Sequence, residues 1–590
     1  MNKKIISNNY DVVIVGGGMS GICAAIASAR YGTKTALVHN RPVLGGNASS
    51  EIRMHICGAD HHGSRANARE TGILEEILLE NKRRNPNHSY AIFDMVLWEK
   101  IKYQEGLDLF LNTHLTDVFV EDNAIKKIKA EQLTSEKIYE FTGDIFVDTT
   151  GDGTLAFLAG AEYMIGREGK EAFGEEHAPD KSDNYTMGNT LMFKAIDTGK
   201  PVKFEKPMWA NTYKEEDLNY RDHSEITSGY WWVELGGGEL STIDDAEEIR
   251  DELLKAVYGV WDHIKNGGNH GAENYDLDWV QFLPGKRESR RFVGDYVLKE
   301  KDLSEGRIFE DAVAYGGWPM DMHIMEGLKN KTLEPTVYIK MDDVYTIPYR
   351  SLYSKNINNL MIGGRAISAS HMAMGSTRVM ATCAVIGQAI GTACSIAKEK
   401  GILPREVLKH IKELQQTLLK DDCYIPGYKN EDEKDLARKA DITCSSSIEG
   451  SGSKNIINGY SRKIKDGTNC WISEEMNGQG QWISLKFDKV IYPSEIDIKF
   501  DSNLSKQIMI TLSKYHMNDQ VEVLPLELVK DFRVEFYRND ELVNTISVKN
   551  NYLRYRVLEL DNAVECENIK VCVESTYGDK HARIFEIRVY

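Results

Sequence analysis

The stretch from Tyr10 to Asn47 leaves this chain little choice of fold. Asp11, Val12, Val13, Ile14 and Val15 form a short run rich in β-branched residues, the pattern of a strand buried in a parallel sheet. Gly16-Gly17-Gly18-Met19-Ser20-Gly21 follows at once and satisfies G-x-G-x-x-G. Residues 22–31 are alanine-rich with helical spacing, and Lys34, Thr35, Ala36, Leu37 and Val38 read as a second strand. Each glycine of the triplet has a physical reason. Gly16 permits a tight turn, Gly18 lets backbone approach a pyrophosphate, and Gly21 lets helix and strand pack closely. Phosphates would then lie at a helix N-terminus, where free N–H groups and the dipole favour anions. The expectation is a dinucleotide site. The second strand ends in His39 and Asn40, where an Asp or Glu usually accepts the adenosine ribose hydroxyls. Either residue can hydrogen-bond a ribose, but neither supplies a carboxylate.

At 590 residues the chain is long enough for several domains. Its net charge of −18 argues against a general binder of nucleic acid or anionic membrane, which needs clustered Lys and Arg. The first ten residues pass into the first strand without an apolar signal region, and the sequence has no run of about eighteen apolar residues. Nine cysteines, an odd number with no C-x-x-C, fit free thiols in a reducing compartment. These features predict a cytoplasmic protein with no nucleic-acid or membrane partner; oligomerisation is left open.

After the second strand, Gly45 and Gly46 let backbone pass close to a ligand, and Asn47 and Ser49 could hydrogen-bond a flat polar ring. His55, Cys57, Asp60, His61 and His62 suggest an active-site loop, but without the spacing of a metal site, and no metal is expected. Residues 69–82 read as an amphipathic helix, and 109–115 and 125–140 as strands of a small antiparallel crossover. A further strand over 145–148 runs into Thr149-Thr150-Gly151-Asp152-Gly153 and a helix over 154–159. This second strand-to-glycine junction would face the same ligand, with the Gly151 amide and the Asp152 carboxylate suited to a ribityl or pyrophosphate group.

Residues 165–345 are rich in aromatics and glycine turns, among them Tyr230-Trp231-Trp232 and Gly316-Gly317-Trp318-Pro319. A cationic run, Lys286, Arg287, Glu288, Ser289, Arg290 and Arg291, stands out in so acidic a chain. Together they suggest a pocket for a polar, hydroxylated substrate. The third anchor is the strand 360–362 with Gly363, Gly364 and Arg365, then a polar loop carrying Ser368, His371, Ser376, Thr377 and Arg378. It leads into a small-residue helix over 379–398 whose N-terminus suits an electron-rich group. Residues 421–439 are polar and charged and read as a linker. Beyond 440, short alternating strands separated by turns read as an all-β sandwich.

With these residues in place, the chain resembles the FAD-dependent oxidoreductase family built on the glutathione-reductase-type flavin fold. The likeness rests on 11–21, 41–50, 148–161, 286–296, 345–351 and 363–378, within most of residues 8–400. It implies FAD at the turn of Gly16, Gly18 and Gly21, with Gly45, Gly46, Asn47 and Asp152 along the cofactor and 364–378 near the flavin. The full cofactor set expected is Gly16, Gly18, Ser20, Gly21, His39, Asn40, Arg41, Gly45, Gly46, Asn47, Ser49, Gly151, Asp152, Gly364, Arg365, Ser376 and Thr377. Members of this family often occur beside polysaccharide-degrading enzymes, which suggests a carbohydrate-like small-molecule substrate. The part from 440 to 590 resembles a discoidin-type (coagulation factor C-type) sandwich, a fold often used to bind carbohydrate.

The fold expected is therefore α/β. A discontinuous Rossmann-like FAD-binding domain (1–165 and 345–420) holds an inserted mixed α+β substrate domain (166–344). The linker 421–439 and an all-β jelly-roll sandwich (440–590) follow. The activity expected is hydride transfer at flavin N5, oxidising a secondary hydroxyl of a sugar or glycoside, with an electron acceptor that the sequence does not name. His371 is the expected base. Arg378 is expected to stabilise developing negative charge. His55, Arg287, Glu288, Arg290 and Trp318 are expected to hold substrate. Two other readings stay open: a C=C reductase acting on an unsaturated acid, and a flavin-bearing glycan-binding or sensing protein.

Overall fold

The structure is a computed structural model that describes residues 4–229, 232–465 and 467–590. Tyr230 and Trp231 of the aromatic run lie outside the described residues, as do the first three residues of the chain. Two compact units alternate along the sequence. The first comprises Met1–His61, His88–Ile411 and Ile510–Asn518; the second comprises His62–Asn87, Lys412–Met509 and Asp519–Tyr590.

The first unit is organised by one mixed sheet. Strand Ile5–Val15 pairs in parallel with Thr35–Val38 on one side and with Lys137–Asp148 on the other. Leu107–Phe110 extends the parallel part beyond Thr35–Val38, and Leu360–Ile362 joins the far edge of Lys137–Asp148. Thr113–Glu121 and Ala124–Gln132 form the antiparallel crossover that leads into Lys137–Asp148. The registers Val15↔Val38, Val15↔Asp148 and Ile362↔Asp148 align four strand ends. The three glycine-rich stretches read from the sequence leave the sheet along this carboxyl edge, where open α/β sheets bind ligands.

Two helices cover this edge region. Met19–Arg30 is buried along nearly its whole length, as is Met380–Lys400. A Cβ at Gly387 would come 2.0 Å from the Ser20 carbonyl oxygen, and one at Gly391 would come 2.2 Å from that of Ala24. The small residues are there because the two helix backbones nearly touch. Met380–Lys400 is long and apolar enough to cross a membrane by composition alone, but 94% of its apolar window is buried in the protein, as in a core helix. Residues 166–344 lie wholly in the first unit and pack a cluster of their own. In it, Leu253, Val257 and Trp261 of helix Ala246–Asn266 meet Leu191, Phe193, Val233 and Leu235.

The second unit contains the sandwich. One antiparallel sheet orders Asp441–Cys444, Gln481–Ile491, Cys566–Thr576, Val529–Arg538 and Glu541–Val548; the other orders Trp471–Glu475, His581–Val589, Glu495–Phe500 and Tyr555–Glu559. Phe500 of one sheet meets Phe532 of the other with ring centroids 5.0 Å apart, edge to face.

Two sequence expectations fail here. The helix expected at 69–82, within the flavin domain, is Ile73–Arg84 and belongs to the second unit. Just ahead of it, Arg69 pairs with Glu75 at 2.7 Å and donates to the Asn503 carbonyl at 3.0 Å. The expected linker 421–439 is packed into the same unit. Cys423 and Ile425 are buried, and Asp422 meets Arg554 at 3.0 Å with both side chains fully enclosed. Charges that look solvated in sequence have buried partners instead.

Asp435 shows the same effect and yields a prediction. It caps the turn Leu436–Lys439, accepting from the Ala437 and Val589 amides at 3.0 Å each. Burial outweighs these hydrogen bonds and pushes its carboxyl up to about 6. The folded state therefore holds a proton that the unfolded chain releases near pH 4, so stability falls as pH rises from about 4 to 6, by about 3 kcal/mol. Asp435→Asn should flatten that decline and leave the protein more stable than wild type above pH 6, as thermal melts across the range would read.

Candidate cofactor and active site

Gly16, at φ +112°, turns the chain where strand Ile5–Val15 ends, and a Cβ there would come 2.3 Å from the Thr149 carbonyl. Thr149 ties the two glycine junctions together: its hydroxyl donates to Gly16 O at 2.7 Å and its amide to Val15 O at 2.8 Å. A Cβ at Gly21 would come 1.9 Å from Gly16 O, so this glycine answers to helix packing. Gly18 is different. It caps helix Met19–Arg30 with no side-chain cap and no acidic residue in the first turn, and a Cβ on it would meet nothing within 4 Å. The amides of this helix start thus face open space at the sheet's carboxyl edge, where an anion is favoured.

Gly45 and Gly46, at φ +106° and +59°, bring the next loop against this turn, with Gly45 N donating to Gly17 O at 2.8 Å. Three cations gather beside it. Asp152 meets Lys286 at 2.7 Å and Arg365 at 3.0 Å, and Arg41 lies 3.6 Å from Glu51. Burial opposes ionisation of Asp152, but Arg365 and Lys286 prevail and hold its carboxyl below the usual range. Gly151, at φ +84°, lies against the Arg365 guanidinium, and Gly364 has φ +71°. The buried Ser20 hydroxyl has no hydrogen-bond partner among the described residues and sits where a Cβ of Gly363 would come within 2.7 Å. An uncapped helix start, an open glycine face, an unmatched hydroxyl and the Arg41, Lys286 and Arg365 cations fit the diphosphate of a dinucleotide. Gly18, Ser20, Arg41 and Arg365 are the residues that would hold it.

Other residues of the expected cofactor set are engaged elsewhere. His39 accepts from Gly17 N through Nδ1 at 3.0 Å, and its Nε2 donates to Val43 O at 3.1 Å. Burial, then Arg41, lowers its pKa to about 3, so it is a neutral brace of the glycine turn and does not offer a ribose contact. Asn40, next to it, is exposed. The Ser49 hydroxyl donates to Gly46 O at 2.7 Å, and the Asn47 amide donates to Lys286 O at 3.1 Å. Ser376 is buried, bonding the Tyr345 hydroxyl at 2.7 Å and the Trp318 carbonyl, so it braces the fold and not the cofactor. Thr377 is buried, its hydroxyl unmatched among the described residues.

Four of the expected catalytic and substrate residues, His371, Glu288, Arg378 and Arg287, fall in two buried networks. His371 begins helix His371–Thr377; its amide donates to Glu168 at 2.8 Å, and its Nδ1 bonds Glu288 Oε1 at 2.9 Å. Glu288 is fully buried and also accepts from Met187 N at 2.8 Å. Burial opposes its charge, but His371 keeps its carboxyl below the usual range. Glu288 thus faces the imidazole and presents no open carboxylate, which corrects its expected role as a substrate contact. In the second network Arg378 meets Asp321 at 3.0 Å, Asp321 lies 3.4 Å from His323, His323 meets Glu234 at 2.9 Å, and Glu234 meets Arg287 at 2.8 Å. Arg287 is buried in this chain and also donates to Thr190 Oγ1 at 2.6 Å, so it too is no free substrate clamp.

Arg290 lies over the Phe157 ring at 3.9 Å and donates to Asp152 O at 3.1 Å, on the cofactor side. Trp318 is buried with its ring 4.9 Å from that of His61. His55 sits edge to face with His516 at 4.9 Å; burial, then His516, lowers its pKa to about 3 and leaves it neutral. Sequence reasoning missed Thr149, Glu168, Glu234, Asp321 and His323 and gave Lys286 no role of its own. Only Thr149 and Lys286 stood in motifs that could have revealed them.

The open face of Gly18 yields a prediction. Its φ of −74° suits any residue, so Gly18→Val should fold with unchanged far-UV circular dichroism yet lose bound FAD. Retention of stoichiometric FAD in that variant would count against the site.

Among curated proteins, the tRNA uridine 5-carboxymethylaminomethyl modification enzyme MnmG of Finegoldia magna is 28% identical over 229 residues, 35% of this chain and 34% of that protein. The MnmG of Mycoplasma capricolum is 28% identical over 159 residues, 22% of this chain and 24% of that protein. The chain thus spans about a third or less of the length of these relatives. Among solved structures, a Streptococcus pneumoniae fucose binding module, SpX-3, matches with 13% identity and a TM-score of 0.21, covering 26% of this chain and 96% of that one. The family 32 module of C. perfringens NanJ, in complex with galactose, matches with 17% identity and a TM-score of 0.19, covering 26% and 94%. Residues 11–418 match the family described as FAD dependent oxidoreductase. That match spans the glycine turn, the Asp152 cluster and the His371 helix, and the chain belongs to the FAD dependent oxidoreductase family as an enzyme whose cofactor is FAD.

Proposed function

We propose that this enzyme oxidises a secondary hydroxyl of a sugar or glycoside, with His371 taking the hydroxyl proton. The observation that carries the reading is the buried His371–Glu288 pair. With Nδ1–H donated to a carboxylate, the neutral form of His371 keeps Nε2 as a free base, and the same carboxylate stabilises the imidazolium once the proton arrives. Met187 N and the nearby Arg291, 3.9 Å from Glu288, keep that carboxylate ionised and in place. FAD, when bound, would supply the hydride acceptor, and His371 takes the O–H proton of the carbinol. Arg378, held by Asp321, supports the negative charge that develops on the oxygen.

The rival reading, reduction of an unsaturated acid, asks arginines to clamp a substrate carboxylate. Arg287 is already matched by an enclosed carboxylate, Glu234. A neutral, polyhydroxylated substrate suits such a site better than an anion. The test is anaerobic absorbance of the holoenzyme. Glycosides should bleach the flavin band, and unsaturated acids should not reoxidise chemically reduced enzyme. The reverse pattern would overturn the reading, and silence in both arms would favour a flavin-bearing binding protein.

A further inference from the structure

The first unit holds a second cluster of chemistry-bearing groups that the flavin site does not use. Glu215, at the start of the turn Glu215–Asp217, converges with His223, with His263 in the last turn of helix Ala246–Asn266, and with His270 just beyond that helix. One ligand atom from each lies within 4.8 Å of all the others. The carboxylate oxygens of Glu215 stand 3.0 Å from His263 Nε2, 3.5 Å from His223 Nε2 and 3.6 Å from His270 Nε2. The three rings pack with centroids 4.8 to 5.3 Å apart.

The hydrogen bonding of His223 gives this geometry a direction. Its Nδ1 lies 2.8 Å from the Arg221 carbonyl, an acceptor only, so Nδ1 carries the proton. His223 Nε2 then faces a Glu215 carboxylate oxygen 3.5 Å away, with its other ring nitrogen held by the carbonyl. A backbone carbonyl on the outer nitrogen is also the usual way a ligating imidazole is oriented. Zinc takes imidazole nitrogens and carboxylate oxygens at about 2.0–2.2 Å in a tetrahedron, so its ligand atoms stand about 3.3–3.6 Å apart. Glu215 Oε2 stands 3.0 Å from His263 and 3.6 Å from His270, and Oε1 stands 3.5 Å from His223, separations close to that edge length.

We propose that Glu215, His223, His263 and His270 form a structural site for a tetrahedral divalent transition-metal ion of the zinc class. Four protein ligands close the coordination shell, which assigns the ion to structure and not to the redox reaction. It would tie residues 215–223, a stretch with little regular structure of its own, to the end of helix Ala246–Asn266. Imidazole and carboxylate ligands exclude magnesium and calcium as the resident ion, since those cations want an all-oxygen shell.

The experiment uses untagged full-length holoenzyme, dialysed against zinc and then against metal-free buffer, with metal measured by mass spectrometry and FAD by absorbance. Wild type should retain about one zinc per chain, and His223→Ala and the milder His270→Ala should lose at least tenfold of it while keeping FAD. Chelator should lower the melting temperature of wild type and leave that of the variants unmoved. Should the alanine variants fail to fold, cobalt added to chelator-stripped wild type decides: the intense visible bands of tetrahedral cobalt are expected. Wild type that binds neither zinc nor cobalt, or a folded His270→Ala that binds as much zinc as wild type, overturns the site.

Discussion

His371→Ala should leave FAD bound and slow substrate-driven flavin reduction by about 10²- to 10⁴-fold, the usual worth of a general base. The cofactor should stay because His371 bonds Glu288, Glu168 and no member of the Gly18–Arg41–Arg365 set. Glu288→Gln separates base from brace. Glutamine fills the same volume and can still meet Nδ1, but it carries no charge to stabilise an imidazolium. Reduction should slow in that variant too, less than in His371→Ala, with substrate affinity nearly unchanged. The measurement is stopped-flow absorbance of the flavin band without oxygen. A His371→Ala enzyme reduced at the wild-type rate would make the histidine structural and remove the reason for the buried Glu288.

The dinucleotide-binding core was legible because its signals are local. A strand, a glycine triplet and a helix lie within residues 11–30; Gly16 and Gly21 answer to contacts a few residues away or across one strand pair, and Gly18 to the open space it leaves. The strand ends at Asp148 and Ile362 were legible for the same reason, since each runs directly into its own glycine turn. What stayed hidden was pairing over long separations. The cationic run at 286–291 reads as a substrate clamp until Asp152, Glu234 and Glu168 arrive from more than fifty residues away to meet Lys286, Arg287 and Arg291. His39 looked like a ribose ligand because that position usually is one; a bond to Gly17 N and another to Val43 O show that it braces the turn. Glu215, His223, His263 and His270 have no periodicity in common, so only the fold reveals that they meet.

Ending the chain near residue 434 should give aggregated protein in place of a soluble, flavin-loaded core, although every cofactor residue named above lies before position 380. The reason is the order of the segments. His62–Asn87 belongs to the second unit, and such a truncation removes most of that unit's remainder while leaving this piece behind. Arg69 would lose the Ser502 and Asn503 carbonyls it now meets at 3.2 and 3.0 Å, and Glu75 would lose the Ser502 hydroxyl at 2.6 Å. Lys82, whose pKa burial lowers to about 8, would lose Gln520 at 3.2 Å. Each charged group that loses a partner while still enclosed costs about 1–3 kcal/mol or more. Ile77, Leu78 and Leu79, now buried, add about 1.5–3 kcal/mol each where they become exposed. Together these terms are comparable to the roughly 5–15 kcal/mol that holds a typical domain folded. Soluble yield, size-exclusion profile and FAD content of the 1–434 fragment are the readouts. A monodisperse yellow fragment would show that His62–Asn87 can fold without the sandwich, and the sequence-based boundary would stand after all.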